Sequence, residues 1–127
     1  MKVGTEWLVD AEGCTPALLC NLAEVRATCE AILRDLKLKV VGEGLAHQFP
    51  APGGVTVMYL LTESHLTCHT YPEYGIATFS LSCCRPRPRW DWEEKLNAFL
   101  GSTRVSVRCL TRGAVAEPEP EPATSAD

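Results

Sequence analysis

The apolar positions along the chain follow two patterns. Between residues 16 and 36 they recur every three or four residues, which predicts one amphipathic helix with a core-facing stripe: Leu18, Leu22, Val25, Cys29, Ile32 and Leu36. A second helix is predicted to begin at Asp91, which forms a capping-box-like pair with Glu94, and to end at Gly101. Each helix has one apolar side and needs another layer to pack against.

The second pattern is that of β-strands, and the predicted strands are Glu6–Val9, Lys39–Glu43, Val55–Leu61, His65–Tyr71, Ile76–Cys84 and a final half-buried strand at 105–109. Residues 72–75, Pro-Glu-Tyr-Gly, form a hairpin loop. The order is strand, helix, four strands, helix, strand. It predicts an α+β two-layer sandwich, with two helices on one face of a mainly antiparallel sheet.

Composition sets the size of the domain and limits its partners. The 127 residues are enough for one small domain, assigned to residues 1–113, followed by a Pro/Glu-rich tail at 114–127 that is expected to be disordered. This tail carries the net charge of −4, and the remaining acids and bases balance at 12 each. A neutral body argues against nucleic acid as a partner. So small a domain is expected to complete its active site at a subunit interface.

Seven cysteines are present, an odd number that includes one adjacent pair and no C-x-x-C spacing. The sequence contains no signal-peptide pattern and no apolar run long enough to span a membrane. These features favour a cytoplasmic protein with mostly buried thiols. No metal site is predicted, because the adjacent Cys83 and Cys84 lack the spacing of zinc ligands, even with His65 and His69 nearby.

One short segment combines a serine with two histidines nearby: Glu63-Ser64-His65 and His69. By themselves these residues are more typical of the solvent-exposed face of a strand than of a catalytic site. No nucleophile elbow or phosphate loop accompanies them. The longer stretch from Leu60 to Cys84, LLTESHLTCHTYPEYGIATFSLSCC, is far more specific. It resembles the core of the bacterial S-adenosylmethionine decarboxylases, and the likeness extends to WLVDAEGC, VVGEG and RVSVRCLTRG. It covers about residues 5–113.

The resemblance implies a proenzyme that cleaves itself between Glu63 and Ser64. In that family the serine hydroxyl attacks the preceding carbonyl, the resulting ester undergoes β-elimination, and the dehydroalanine hydrolyses to a pyruvoyl group. Ser64 would thus become the cofactor, giving chains 1–63 and 64–127. The ketone would condense with the substrate amine and act as an electron sink when carbon dioxide leaves.

Roles for other residues follow from the same resemblance. His69 corresponds to the histidine that promotes self-processing, and Thr56 to a hydroxyl residue that assists it. Cys84 corresponds to the cysteine that reprotonates the product carbon. A base, a polarising hydroxyl and a thiol donor suit these steps chemically.

The implied substrate pocket contains Glu73, which corresponds to the carboxylate that holds the ribose hydroxyls, and two aromatic residues. Phe49 lies in the region that supplies an aromatic face for adenine, and Tyr71 stands where tryptophan is more usual. The loop FPAPGGVT is one residue longer than usual, and RPRPRWDW replaces a Gly/Asp-containing turn after Cys84. The processing residues therefore match the family better than the pocket does.

Strand pairing predicts how these residues meet. The hairpin at 72–75 aligns Glu63 and Ser64 with Cys83 and Cys84 on the neighbouring strand. A tight turn at Thr62-Glu63 pairs the strand Val55–Leu61 with the strand His65–Tyr71 and places Thr56 opposite His69. Along the extended strand, however, His69 lies roughly 16 Å from Ser64. We therefore expect a homodimer with shared sites, in which one chain gives Ser64 and Cys84 and the other gives Thr56 and His69.

Three functions remain open on the sequence. The first is decarboxylation of S-adenosylmethionine, which supplies aminopropyl groups for spermidine. The second keeps the cofactor but acts on L-ornithine or L-arginine, because fold does not fix substrate. The third is a non-catalytic paralogue that binds polyamine or a partner enzyme, against which the complete Glu-Ser, His and Cys positions argue.

Overall fold

The computed structural model of the chain describes residues 3–113, so the predicted acidic tail lies outside the described residues. In chain order the elements are β1 (Gly4–Glu12), α1 (Pro16–Leu19), α2 (Leu22–Asp35), β2 (Leu45–Gln48), β3 (Val55–Leu61), β4 (Ser64–Tyr71), β5 (Ile76–Cys83), α3 (Trp92–Leu100) and β6 (Arg104–Arg112). A single 3-10 turn, Pro72–Tyr74, joins β4 to β5.

The strands form one antiparallel six-stranded sheet in the order β2-β3-β4-β5-β1-β6. The helices pack on one face of this sheet, where alternate residues of β3, β4 and β5 are buried. Side chains on the other face are partly or fully exposed, including Leu45, Met58 and Leu60. The predicted α+β sandwich is confirmed, and we call this second surface the open face.

The core lies between the helices and the sheet. The predicted stripe of α2 contributes Val25, Cys29 and Ile32, all fully buried, and α3 contributes Leu96 and Leu100. Four of the seven cysteines are buried, and the cysteines of the described residues are free thiols: Cys14, Cys20, Cys29, Cys68, Cys83, Cys84 and Cys109. Within residues 3–113, no helix is long and apolar enough to cross a membrane.

Two predicted elements differ in the structure. The first helix is interrupted at Cys20, and the chain restarts at Asn21, whose side chain accepts a hydrogen bond from the Glu24 backbone N–H at 3.2 Å. Asparagine competes for backbone groups in this way and favours N-caps over helix interiors. The apolar spacing continues across the break, so periodicity alone did not reveal it.

The strand predicted at Lys39–Glu43 is wrong. This segment makes one isolated bridge, Val40 to Leu61, and the strand beside β3 is Leu45–Gln48 instead. Gly42 has a φ of +73°, which ends the extended conformation. Gly44 then passes so close to Tyr59 that a Cβ atom would lie 2.4 Å from its ring.

Candidate active site

The turn between β3 and β4 places Ser64 in an unusual conformation. Its φ is +136°, in a region that residues with a side chain rarely adopt. Such a backbone costs of order 1–3 kcal/mol and persists only where the surrounding structure holds it. The strain therefore lies at one end of the Glu63–Ser64 peptide bond.

The carbonyl group of that bond is polarised by the neighbouring strand. The backbone N–H of Cys84 donates a hydrogen bond to the Glu63 carbonyl oxygen at 3.1 Å. Ser64 pairs with Cys83, and Tyr71 pairs with Ile76, as the hairpin loop predicted. An N–H group in this position favours negative charge on the oxygen, as occurs when a nucleophile attacks the carbonyl carbon.

The two adjacent cysteines have opposite environments. Cys83 is 2 % exposed, and burial, with a further contribution from the negative charge of Glu63, raises the pKa of its thiol to about 11. Both cysteines and Ser64 line a cavity of about 280 Å³, but only Cys84 is exposed. Cys84 is thus the thiol available to a group formed at Ser64.

A histidine to which the sequence analysis gave no catalytic role lies next to Ser64. The Ser64 hydroxyl oxygen is 3.4 Å from His65 Nδ1, a long hydrogen bond. His65 is exposed on the open face. Its position directly after the serine was the available signal, but Glu63-Ser64-His65 was interpreted as part of a solvent-exposed strand face.

A second cluster lies at the other end of β4. Thr56 pairs with His69 as predicted, and the Thr56 hydroxyl is 2.9 Å from His69 Nδ1. Both residues line a cavity of about 400 Å³ together with Phe49, Tyr71 and Glu73. The structure therefore brings together five of the predicted site residues.

Packing beneath this cavity fixes its walls. The buried Thr70 hydroxyl donates to the Leu19 carbonyl oxygen at 2.7 Å and accepts from the Val55 backbone N–H at 2.9 Å. Gly54 passes directly over Thr70, where a Cβ atom would lie 2.6 Å from the carbonyl oxygen. Only glycine allows this approach, which keeps the Phe49–Gly54 loop against β4.

The two clusters do not meet within one chain. Ser64 and His69 are separated by five residues of one continuous strand, which corresponds to roughly 16 Å. Cys84 lies at the Ser64 end and Glu73 at the His69 end. The described residues therefore form two separate clusters, one at each end of β4.

A buried ion pair at the Glu63–Ser64 junction was not predicted from the sequence. The Glu63 carboxylate pairs with Arg87, which lies 24 residues further along the chain in the loop between β5 and α3. Their side chains are 6 % and 23 % exposed. As for metal ions, no group of three or more His, Cys, Asp or Glu side chains within residues 3–113 is arranged to hold one.

A family model described as S-adenosylmethionine decarboxylase matches residues 5–113. The chain belongs to this family. The S-adenosylmethionine decarboxylase proenzyme of Thermoplasma volcanium is 31% identical over 112 residues, which cover 87% of this chain and 85% of that protein. The proenzyme of Thermodesulfovibrio yellowstonii is 30% identical over 82 residues, covering 65% of this chain and 59% of that protein.

Among solved structures, the adenosylmethionine decarboxylase of Aquifex aeolicus has the same fold. Its TM-score is 0.77 at 24% sequence identity, and the match covers 94% of this chain and 98% of that chain. The S-adenosylmethionine decarboxylase family is thus the one that the stretch from Leu60 to Cys84 indicated.

Proposed function

We propose that this chain is a proenzyme that cleaves itself between Glu63 and Ser64, and that the cleaved protein decarboxylates S-adenosylmethionine. The observation that carries the proposal is the geometry of this one peptide bond. Ser64 has a φ of +136°, and the preceding carbonyl oxygen accepts a hydrogen bond from the Cys84 N–H. Strain on one side and polarisation on the other both favour attack on the carbonyl carbon.

In the proposed cleavage, Ser64 Oγ bonds to the Glu63 carbonyl carbon and the C–N bond breaks. The nitrogen takes up the hydroxyl proton, which leaves an ester. His69, which we propose comes from a second chain, then takes the Ser64 Cα proton as a base, and this expels the Glu63 carboxylate and forms dehydroalanine. Water hydrolyses the tautomeric imine and releases ammonia, so that the second chain begins with a pyruvoyl group.

The surroundings of Ser64 fit such a group. The cavity of about 280 Å³ is open to solvent and contains the exposed Cys84 thiol, an acid able to return a proton to carbon. Once formed, the ketone supplies an electron sink for loss of carbon dioxide from an amino acid. Cys83 is unsuited to the proton transfer because its side chain is buried in the core.

A homodimer with two shared sites accounts for the separated clusters. A second chain related by a two-fold axis could bring its Thr56–His69 pair to the Ser64 end of the first, and the reverse. Exposed apolar side chains on the open face support contact there: Leu45 is 72%, Met58 48% and Leu60 61% exposed. Scattered exposed apolar residues are ordinary, but these three belong to neighbouring positions on β2 and β3.

The chemistry of the cavity beside Thr56 and His69 suits an adenosyl group. Phe49 and Tyr71 offer aromatic faces, and Glu73 offers two acceptor oxygens for a ribose diol. The matched relatives are named as S-adenosylmethionine decarboxylase proenzymes. Ornithine and arginine are not favoured as substrates, because they have no aromatic ring to stack on Phe49 and Tyr71 and no ribose diol to bind Glu73.

The test is release of labelled carbon dioxide by the purified protein from carboxyl-labelled S-adenosylmethionine, L-ornithine and L-arginine. Release from S-adenosylmethionine alone supports the proposal. Release from either basic amino acid at a higher kcat/KM contradicts the substrate assignment. Absence of release from all three, in cleaved protein, contradicts the enzymatic function.

A further inference from the structure

Glu63 is held at two points by the segment that follows β5. Its carbonyl oxygen accepts from the Cys84 N–H at 3.1 Å, and its carboxylate pairs with Arg87. Only 6 % of the Glu63 side chain is exposed. A carboxylate buried this deeply must be neutralised by a nearby cation or lose its charge, because water no longer solvates it.

The loop that carries Arg87 has little conformational freedom. Arg87 stands between Pro86 and Pro88, which restrict both its own backbone and that of its neighbours. Just beyond, Trp90 is 4 % exposed, and its indole N–H donates to the Asp35 carboxylate at 2.9 Å. Since the loop is fixed at both ends, the guanidinium group has a defined position relative to Glu63.

We propose that Arg87 is a positioning residue for self-cleavage, which fixes Glu63 and thereby holds Ser64 in its strained conformation. A φ of +136° at Ser64 relaxes unless the residues beside it are held. The Cys84 hydrogen bond holds the backbone of residue 63, and Arg87 holds its side chain. This inference rests on the proposed cleavage at the Glu63–Ser64 bond.

The alternative is an ion pair that stabilises the fold and has no effect on cleavage. The contact joins one Arg87 nitrogen to one oxygen of the carboxylate that belongs to residue 63, directly beside the bond to be cleaved. A positioning role therefore predicts a slower cleavage when the pair is broken, beyond any loss of fold stability, whereas a purely stabilising role does not.

The experiment measures cleavage in a cell-free translation reaction. Radiolabelled cysteine marks both fragments, since Cys14 lies before the cut and Cys68 after it. After a pulse and chase, denaturing gels give the half-time of cleavage for wild type, Arg87→Met, Arg87→Lys and the double variant Arg87→Met/Glu63→Gln. Urea unfolding of each variant in an uncut Ser64→Ala background gives the stability of the fold separately.

Arg87→Met should slow cleavage by about tenfold or more, because the unpaired Glu63 carboxylate moves toward water and releases residue 63. Arg87→Lys retains the charge and should cleave within about threefold of wild type. The double variant should recover much of the lost rate, because the neutral amide that Glu63→Gln introduces can stay buried without a cation.

The matched control is Arg89→Met, which removes the exposed ion pair with Glu93 from the same loop. It should cleave at the wild-type rate. The inference would be overturned if folded Arg87→Met cleaved at the wild-type rate. It would also be overturned if the cleavage rates of all variants fell only in proportion to their loss of fold stability. If Arg87→Met fails to fold, slow cleavage in both Arg87→Lys and the double variant would overturn it. A wild-type chain that stays uncut contradicts the proposed function itself.

Discussion

The Thr56 hydroxyl lies 2.9 Å from His69 Nδ1, at the opposite end of β4 from the serine on which both residues are proposed to act. A hydroxyl group in this position can orient the imidazole ring and select its tautomer. Because β4 is one continuous strand, the pair cannot swing to its own Ser64. The proposed chemistry therefore requires two chains.

Complementation tests this sharing of sites. Ser64→Ala supplies no serine for cleavage, and His69→Ala should cleave poorly. When the two are coexpressed with different tags, mixed dimers should contain one site with an intact Ser64 and an intact His69. Cleavage of the His69→Ala chain in purified mixed dimers is the expected result. Mixed dimers in which that chain stays uncut would show that His69 acts within its own chain, or not at all.

The two cysteines should separate by function. Cys84→Ala should still cleave, because the hydrogen bond to Glu63 comes from its backbone, but should lose about 10²-fold or more in kcat through loss of the proton donor. Cys83→Ala should keep turnover and lose stability, since it leaves space in the core. Equal losses of kcat in the two variants would reject the assignment of Cys84.

Glu73 should affect substrate binding and leave cleavage unchanged. Glu73→Gln weakens acceptance of the ribose hydroxyls, so KM for S-adenosylmethionine should rise about tenfold. Steady-state kinetics and the fraction of cleaved chain are the two measurements. Tyr74→Phe, on the same turn but 72% exposed, is the matched control and should leave both values unchanged. A Glu73→Gln protein with wild-type KM would contradict the assignment.

Three buried thiols should make the fold sensitive to alkali. Burial raises the pKa of both Cys14 and Cys83 from 9.0 to about 11, and it also raises the pKa of Cys68. In this pH window the unfolded chain has released thiol protons that the folded chain retains, so stability should fall as the pH rises from 9 toward 11. Urea unfolding of the uncut Ser64→Ala protein measures the fall. Adding Cys83→Ala should reduce the slope, because it removes one of the thiols that releases its proton only on unfolding.

The fold and the strand register could be predicted from local signals. The four-residue loop after Tyr71 sets the pairing of β4 with β5, and that pairing brings Cys84 beside Glu63. The errors arose where local signals competed. Asn21 caps a new helix inside an apolar stripe, and the extended run after Leu38 ends at Gly42.

Other features of the site could not be predicted because they depend on contacts between distant segments. The Glu63–Arg87 ion pair joins residues that are 24 positions apart. Arg87 lies in a loop whose sequence has no hydrophobic periodicity. The positive φ of Ser64 also leaves no mark on the sequence. Tertiary structure therefore supplies the strain and the charge compensation, whereas the sequence supplies the reacting groups.

The central claim is cleavage of the Glu63–Ser64 bond, and the mass of the purified protein under denaturing conditions tests it most directly. Cleavage should give two fragments, residues 1–63 and residues 64–127, with the second lighter than its unmodified sequence by the mass of one ammonia molecule. That fragment should also react with a hydrazine and resist Edman degradation. A single uncut chain after prolonged incubation, or a second fragment that retains an N-terminal serine, would contradict the account.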